Sequence, residues 1–457
     1  MQTSFIYKKG FFQTTLNNKE IKIVISKELF KTVSKEALEQ LTSISKIKEI
    51  SSPILAMPDI HIGFGVPIGS VFASLKKDAI ISSEAVGYDI NCGIRIIKTN
   101  LFLKDLKKED LLTLSKELKK LPLGLSSNGI NINNKDYKKI LEKGAIWATS
   151  NKHCEKEDLK RMYNKGSLKN ADASKISKEA LKRGKKQIGT LGQGNHFIDV
   201  LEVSKVFNKE VSKQFGLLKG QILIMLHSGS RGLGHQIASD YYKVFKNKEL
   251  LSHTSFSSKE GQDYFKAMNA AANFAFVNRI VLSKMVEDVF KKTIYFGREI
   301  KFSLLYDLTH NLATLEKHFG KEYLVTRKGA TRVFLPEDLD ASSPFKKTGT
   351  PIILPGSMLA ESYILVPDKG VLNTFSSVAH GSGRFLSRKQ AKEKISFKDL
   401  KCLMKKNNVI LESISENLAR EEQPGAYKSS NKVVSSMERL KMVKKVVKLK
   451  PLIVLIG

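Results

Sequence analysis

Apolar positions in this chain follow two different rhythms. From residue 20 to 100, short runs such as IKIVIS and SPILAMPDIHIGFGVPIGSVFAS alternate with Gly and Pro, which predicts strands joined by tight turns. Residues 104–185 change to a charged pattern with helical period, as in KKEDLLTLSKELKK and SKEALKRGKK. That segment is expected to form a mostly helical outer layer or insertion. Residues 187–240 return to apolar runs broken by glycine turns. SFSSKEGQDYFKAMNAAANFAFVNRIVLSKMVEDVFKK then reads as one long helix. Ser257 and Glu260 carry a capping-box pattern at its start, and its nearly uncharged Ala/Phe/Asn middle is expected to be buried. A second strand-rich part covers about 323–380, and the tail ends in the strand-like PLIVLIG. Strands and helices do not alternate regularly, and no Pro/Ser linker divides the chain. The expectation is therefore an α+β class, with residues 1–457 forming a single large mixed domain.

Composition narrows the function classes. No run approaches the ~18 apolar residues of a membrane span, and the start MQTSFIYKKGFFQ lacks a secretory pattern. Cys92, Cys154 and Cys402 are the only cysteines, too scattered for a disulfide framework. These features fit a cytoplasmic protein whose thiols stay reduced. The net charge is +32, from 77 basic and 45 acidic residues, the balance of a polyanion binder. Much of the excess is lysine, which a solvated surface would also explain. The scarcer arginines are more pointed. Arg231, Arg327, Arg332, Arg384 and Arg388 fall in short Gly/Ser-rich segments, where a guanidinium fork suits phosphate. The basic turn RKGATR (327–332) reads either as a phosphate contact or as a solvated loop.

Candidate chemistry gathers at strand ends. VGYDINCGIR (86–95) sets Asp89 three positions before Cys92, between glycines that let the turn fold tightly. His196 lies where a glycine turn enters a strand, and His227 ends the apolar run QILIMLH. His310 in YDLTHNLATLEKHF is expected near a helix start. Each residue alone is more simply a packed cysteine or a hydrogen-bonded histidine. Together, Asp89, Cys92, His196, His227 and His310 form a candidate metal set, with a thiolate able to bridge two ions. Donor softness by itself points to zinc. In HGSGR, His380 sits between small residues with Arg384 and Arg388 following. This suits a nucleophile toward phosphorus, with amides and guanidiniums taking up charge; without the arginines it would read as a turn histidine. HSGSRG and PGSM add hydroxyls and amides of the phosphate-cradling kind, and no Walker motif is present.

In combination and in order, MPDIHIGFGVPIG, VGYDINCGIR, ADASKISKEALKRGKKQIGTLGQGNHF, HSGSRGLGHQ, RKGATR, PGSM and HGSGRFLSR resemble the RtcB family of RNA ligases. The likeness covers most of residues 50–430. It implies the RtcB-type fold, a β-rich core around a metal site with peripheral helices. It implies a GTP- and manganese-dependent ligase joining RNA 2′,3′-cyclic phosphate or 3′-phosphate ends to 5′-hydroxyl ends. The route would run through a histidine–GMP adduct and a guanylylated RNA 3′ end. On this resemblance two manganese ions would be held by Asp89, Cys92, His196, His227 and His310, and His380 would carry the GMP. Asn195, Asp199, Ser357, Ser362, Ser382, Gly383 and Tyr427 would contact the nucleotide, and Arg231, Arg384 and Arg388 the RNA phosphates. Substrates would be tRNA halves or broken RNA, acted on by a monomer with room for an activating helper protein. Four positions depart from the family pattern. Asp199 stands for a usual Glu on the guanine edge, and Ile456 for a usual Lys before the final Gly. Ser83-Glu84-Ala85 replaces a Pro/Gly stretch, and Ser382 a common Ala. The alternatives are the same phosphoryl chemistry with altered nucleotide specificity, cyclic-phosphate opening only, or non-catalytic RNA binding. His61, in MPDIHIG, is expected to be structural.

Overall fold

The structure is a computed structural model and describes residues 4–245, 251–295 and 297–457. Two large sheets carry the β pattern. The seven-stranded sheet runs, edge to edge, Ile6–Lys8, Phe11–Leu16, Lys19–Val24, Ile50–His61, Ile68–Leu75, Lys321–Lys328 and Asn311–His318. The eight-stranded sheet runs Phe302–Thr309, Gly93–Phe102, Gln221–Ser228, Phe197–Val206, Val443–Ile456, Ser362–Pro367 and Ile352–Leu354, with Ile410–Ser413 pairing parallel to Val443–Ile456. Ile54 and Val71 of the first sheet share one apolar cluster with Ile352, Leu354 and Leu365 of the second, so the sheets bury a common core. The class is α+β, as expected.

The eight-stranded sheet is covered on both faces, which is why its strands read as continuous apolar runs. In Gln221–Ser228 every residue is buried. Ile222, Ile224 and Leu226 face a cluster containing Leu282, Val286 and Phe290 of the long helix. Leu223 and Met225 face the opposite cluster with Phe345. Pro451 interrupts the strand Val443–Ile456, and the ladder with Phe197–Val206 shifts register there. This is how a residue without an N–H is tolerated inside a sheet.

The helical outer layer lies where the pattern placed it: Lys108–Leu118, Asn134–Lys143, Ala145–Ser150 and Lys178–Lys185, joined by short 3₁₀ turns. The long helix spans Lys259–Thr293, and its cap is Ser258, whose hydroxyl accepts from the Gly261 N–H. The expected cap was one residue off, because adjacent serines offer the same hydroxyl. Every residue from 267 to 283 is buried. The asparagines among them serve as side-chain bolts. Asn273 accepts from the Leu168 N–H and donates to the carbonyls of Leu141 and Leu168. Asn278 accepts from Gly189 and Thr190 N–H groups and donates to the carbonyls of Thr190 and Gly229. Arg279, fully buried, pairs with Asp307 at 2.8 Å and donates to the carbonyls of Asn91 and Ser228. Arg95 adds a second cation to Asp307.

Three sequence expectations change. Residues 311–318, expected as helix, form a strand, and His310 is the single residue between Phe302–Thr309 of one sheet and Asn311–His318 of the other. Arg231–Val244 is a helix rather than a continuation of the strands and turns. RKGATR is neither a phosphate loop nor a solvated turn. Arg327 and Arg332 both pair with the buried carboxylate of Glu316, which they hold well below the usual range although burial opposes them. Lys328 donates to the carbonyls of Phe64 and Glu84. Among the described residues no helix is long and apolar enough to cross a membrane.

Removing one member of a buried, hydrogen-bonded ion pair leaves the other uncompensated, at about 3–5 kcal/mol. Arg279→Met is therefore expected to lose about that much in denaturant unfolding. A stability unchanged within error would show that Asp307 does not depend on this guanidinium.

Candidate active site

Four adjacent antiparallel strands of the eight-stranded sheet bring two starts and two ends to one edge. Cys92 precedes Gly93–Phe102, His196 precedes Phe197–Val206, His227 is next to last in Gln221–Ser228, and His310 follows Phe302–Thr309. The register sets Ile94 opposite both His227 and Leu308, so these residues are neighbours by pairing, not by proximity in sequence. The Asn91–Cys92 turn is held by Arg279, and the His310 N–H donates to the Cys92 carbonyl.

Two donor groups result. Cys92, His227 and His310 form one, and Asp89, Cys92 and His196 the other, with the donor atoms of each group within 4.8 Å of one another. Cys92 Sγ lies 3.2 Å from His227 Nε2 and 3.3 Å from His196 Nε2. His227 Nε2 lies 3.2 Å from His310 Nε2, and His196 Nε2 lies 2.7 Å from Asp89 Oδ2. Donors about 2.0–2.3 Å from a tetrahedral ion stand roughly 3.3–3.8 Å apart, close to the three spacings among Cys92, His227, His310 and His196, while His196 and Asp89 stand at hydrogen-bond distance. His227 Nδ1 donates to the Asn195 carbonyl, which leaves the lone pair on Nε2, facing His310 and Cys92. Nitrogen, sulfur and carboxylate donors gathered in one buried pocket suit a divalent cation. The residues present therefore fit divalent metal binding, in two groups that have Cys92 in common.

The electrostatics agree. Burial, and then Asp89, push the Cys92 thiol well above its ordinary range. Burial, with neighbouring histidines, pushes His227 and His310 well down, so both are neutral, the form that ligates. Burial alone would raise the Asp89 carboxyl, but the His196 imidazole, the Cys92 thiol and Arg231 outweigh it and keep Asp89 ionised. Gly229 permits this approach: a Cβ there would meet Asp89 Oδ1 at 2.4 Å.

Next to this centre is a cleft of about 970 Å³. The His380 ring packs on His310 with centroids 4.8 Å apart. Its Nδ1 donates to Asp59 Oδ2 at 2.6 Å, and the same oxygen accepts from the His380 and Gly381 amides. Nε2 is thereby left as the basic nitrogen. Gly383 has φ +72°, and a Cβ there would meet the Asp59 carbonyl oxygen at 2.2 Å, so only glycine lets HGSGR lie on Asp59. Asp59 itself was not singled out from the sequence; only its place in MPDIHIG, beside a recognised run, hinted at it. His61, set apart as structural, donates through Nδ1 to the Asp59 carbonyl and also lines the cleft, and burial brings its pKa to about 3.

Asn195, Asp199, Ser357, Ser382, Gly383, Tyr427, Arg384 and Arg388 all line the same cleft. Ser362 stands behind it, its hydroxyl accepting from the Gly356 N–H and so fixing the PGSM turn. Ser382 donates to the Pro355 carbonyl, tying HGSG to PGSM. Arg384 donates to Glu422, the Glu421 carbonyl and the Tyr427 hydroxyl, while Arg388 is the more exposed cation. Arg231 is buried, its guanidinium donating to Thr190 Oγ1 and the Gly124 carbonyl, and its N–H to Asp89. Asp199 is buried beside Val454, and burial pushes its carboxyl well up; its Oδ1 has no hydrogen-bond partner among the described residues.

A family model described as tRNA-splicing ligase RtcB matches residues 40–457. Among curated proteins, the tRNA-splicing ligase RtcB of Archaeoglobus fulgidus is 37% identical over 445 residues, covering 94% of this chain and 92% of that protein. The tRNA-splicing ligase RtcB of Thermococcus kodakarensis is 38% identical over 436 residues, covering 91% and 90%. The RNA-splicing ligase RtcB homolog 2 of Entamoeba dispar is 38% identical over 486 residues, covering 99% and 92%.

Metal analysis of purified protein loaded with manganese or zinc is expected to give two ions per chain. His310→Ala and Asp89→Ala should each lose one, and Cys92→Ala both; a single ion lost from Cys92→Ala would refute the shared sulfur. Because a raised thiol must release its proton to ligate, affinity should rise by about tenfold per pH unit below the thiol's pKa. Calorimetric titration in buffers of different ionisation enthalpy would read that proton.

Proposed function

The chain belongs to the RtcB family of tRNA-splicing ligases, and from that premise we propose that it is an RNA ligase joining 3′-phosphate or 2′,3′-cyclic phosphate ends to 5′-hydroxyl ends with GTP. The observation that carries this reading is the placement of His380: its Nδ1 is held by Asp59, its ring rests on the candidate ligand His310, and it lines the cleft. A structural turn histidine needs no such orientation beside two convergent donor sets.

Asp59 holds Nδ1 and so fixes the tautomer in which His380 Nε2 carries the lone pair. Nε2 forms a P–N bond to the α-phosphorus of GTP as the bond to the β-phosphate oxygen breaks and pyrophosphate leaves. An oxygen of the RNA 3′-phosphate then bonds to that phosphorus, the P–N bond breaks, and the electron pair returns to Nε2. The incoming 5′-hydroxyl oxygen bonds to the RNA phosphorus, GMP departs, and the hydroxyl proton passes to solvent. A cyclic phosphate is first opened by water to the 3′-phosphate. Two divalent ions, manganese in this proposal, would be held by Asp89, Cys92, His196, His227 and His310 and would neutralise phosphate charge when bound. Amides and hydroxyls of Ser357, Ser382 and Gly383, with Asn195 and Tyr427, would hold the nucleotide, and Arg384 and Arg388 the RNA phosphates. The proposal extends to a cytoplasmic monomer with the shared core as a single domain, working on tRNA halves or broken RNA with a helper protein.

A second reading concerns the nucleotide. Asp199 and Ile456 both line the cleft, and burial pushes the Asp199 carboxyl well up, toward its neutral form. A neutral acid both donates and accepts, which favours looser choice of base.

With labelled GTP and manganese, wild type is expected to form an acid-labile guanylate and to seal RNA, and His380→Ala to do neither. Wild type that does neither sinks the proposal. Asp59→Asn should slow guanylylation by about 10–100-fold while metal content is kept. Competition among the four nucleotides decides the second reading, and a strict GTP preference excludes it.

A further inference from the structure

Outside the cleft, a line of rings runs along the surface from its rim to the far end of the metal centre. His61 and Ile62 line the cleft. Phe64 follows, packed on Tyr88 with centroids 5.4 Å apart, and Tyr242 meets Phe64 edge-on at 6.1 Å. Tyr88 stacks on His235 at 4.7 Å and 28°. Tyr88 is also the residue before Asp89. Phe64 is 50% exposed and Ile62 51%, and His235 is exposed. Phe64, Tyr88 and His235 have no part in the chemistry proposed above.

The line is held in place. Lys328 donates to the carbonyls of Phe64 and Glu84. Glu84 lies in a short buried helix, Ser83–Val86, and accepts from the Ser252 N–H at 2.6 Å. Gln40 and Gly63 exchange two hydrogen bonds. A cation flanks it: Arg183, on the helix Lys178–Lys185 that packs on Arg231–Val244, donates to Gln236 next to His235, and burial and then this guanidinium lower the His235 pKa.

We infer that Phe64, Tyr88 and His235 form a stacking platform for the unpaired bases at the 5′-hydroxyl end of the RNA strand that attacks. The inference rests on the ligase reading and adds the subsite for one substrate strand. Fixed, exposed rings beside cations are how single-stranded nucleic acid is gripped without reading its sequence. Direction comes from the chemistry. In an in-line displacement the attacking oxygen and the leaving group lie on opposite sides of phosphorus. The leaving GMP would occupy the cleft at His380. Contacts then pass from His380 to His310, His227, His196 and Asp89, and Tyr88 follows. The hydroxyl strand thus arrives from the Asp89 end, where the platform lies. Because stacking is indifferent to base identity, the strand would be accepted whatever its sequence.

The test uses the full chain with manganese and a short single-stranded RNA carrying a 5′-hydroxyl and a 3′ fluorophore, read by anisotropy. Phe64→Ala is expected to weaken binding about tenfold, and Phe64→Trp to restore it. An oligomer abasic at its first nucleotides should bind wild type about tenfold more weakly and be insensitive to Phe64→Ala. In sealing assays the KM for the 5′-hydroxyl strand should rise in Phe64→Ala and His235→Ala, with the KM for the 3′-phosphate strand and the labelling of His380 unchanged. Equal binding by wild type and Phe64→Ala, or a rise confined to the 3′-phosphate strand, overturns the platform. If wild type neither labels nor seals, the ligase reading fails, and the anisotropy arms still decide whether the platform grips RNA.

Discussion

The structure depends on one buried contact, the Arg279 guanidinium on the Asp307 carboxylate. Neither residue is exposed to solvent, and each charge would be costly to bury alone. The same guanidinium donates to the carbonyls of Asn91 and Ser228, the residues next to Cys92 and His227. Asp307 lies three residues before His310. One cation in the middle of a buried helix thus sets the relative positions of three of the four strand ends that carry the candidate donors. Asn278, one residue earlier, ties down the turn leading to His196 and the one after His227. A long helix with polar bolts does here what a loop could not: it fixes strand ends to a rigid rod, and the donors inherit that rigidity.

Tautomer control is the second theme. Two histidines of the site are oriented through Nδ1, His227 by a backbone carbonyl and His380 by Asp59. In both cases Nε2 is left with the free lone pair, at His227 facing the candidate donors Cys92 and His310 and at His380 for the attack on phosphorus proposed above. Burial keeps His227 and His310 neutral, so metal binding there competes with no proton on the imidazoles. At Cys92, whose thiol burial pushes up, a bound cation would have to displace a proton.

Much of this was legible in the sequence because apolar strands ending at glycine turns are conspicuous, and Cys92, His196 and His227 sit at such ends. The long helix was legible for the same reason, its uncharged middle being incompatible with a solvated face. His310 does come together with the other candidate donors, but from between two strands and not from a helix start. LATLEKH has apolar spacing compatible with a helix, and only its pairing with Lys321–Lys328 makes it a strand. Arg327 and Arg332 looked like phosphate ligands because their partner, Glu316, is brought onto them by a hairpin register that no local pattern encodes. Arg231 fell in a Gly/Ser segment yet is buried in hydrogen bonds to carbonyls. Asp59 carried no signal of its own: an aspartate beside proline at a strand end is common, and its meaning comes from His380, 321 residues away.

The strand Val443–Ile456 lies between Phe197–Val206 and Ser362–Pro367, and Ser204 donates to the Lys448 carbonyl 244 residues later. During synthesis at about 5–20 residues per second, Phe197–Val206 therefore waits roughly 10–50 s for its neighbour, with one apolar edge unpaired. An exposed edge of this length invites wrong partners, so a growing chain needs shielding for that interval, whether from the helical layer that precedes it or from a chaperone. The middle position of this strand makes the sheet, and with it the edge bearing the candidate donors, a structure completed only after residue 456 has been made.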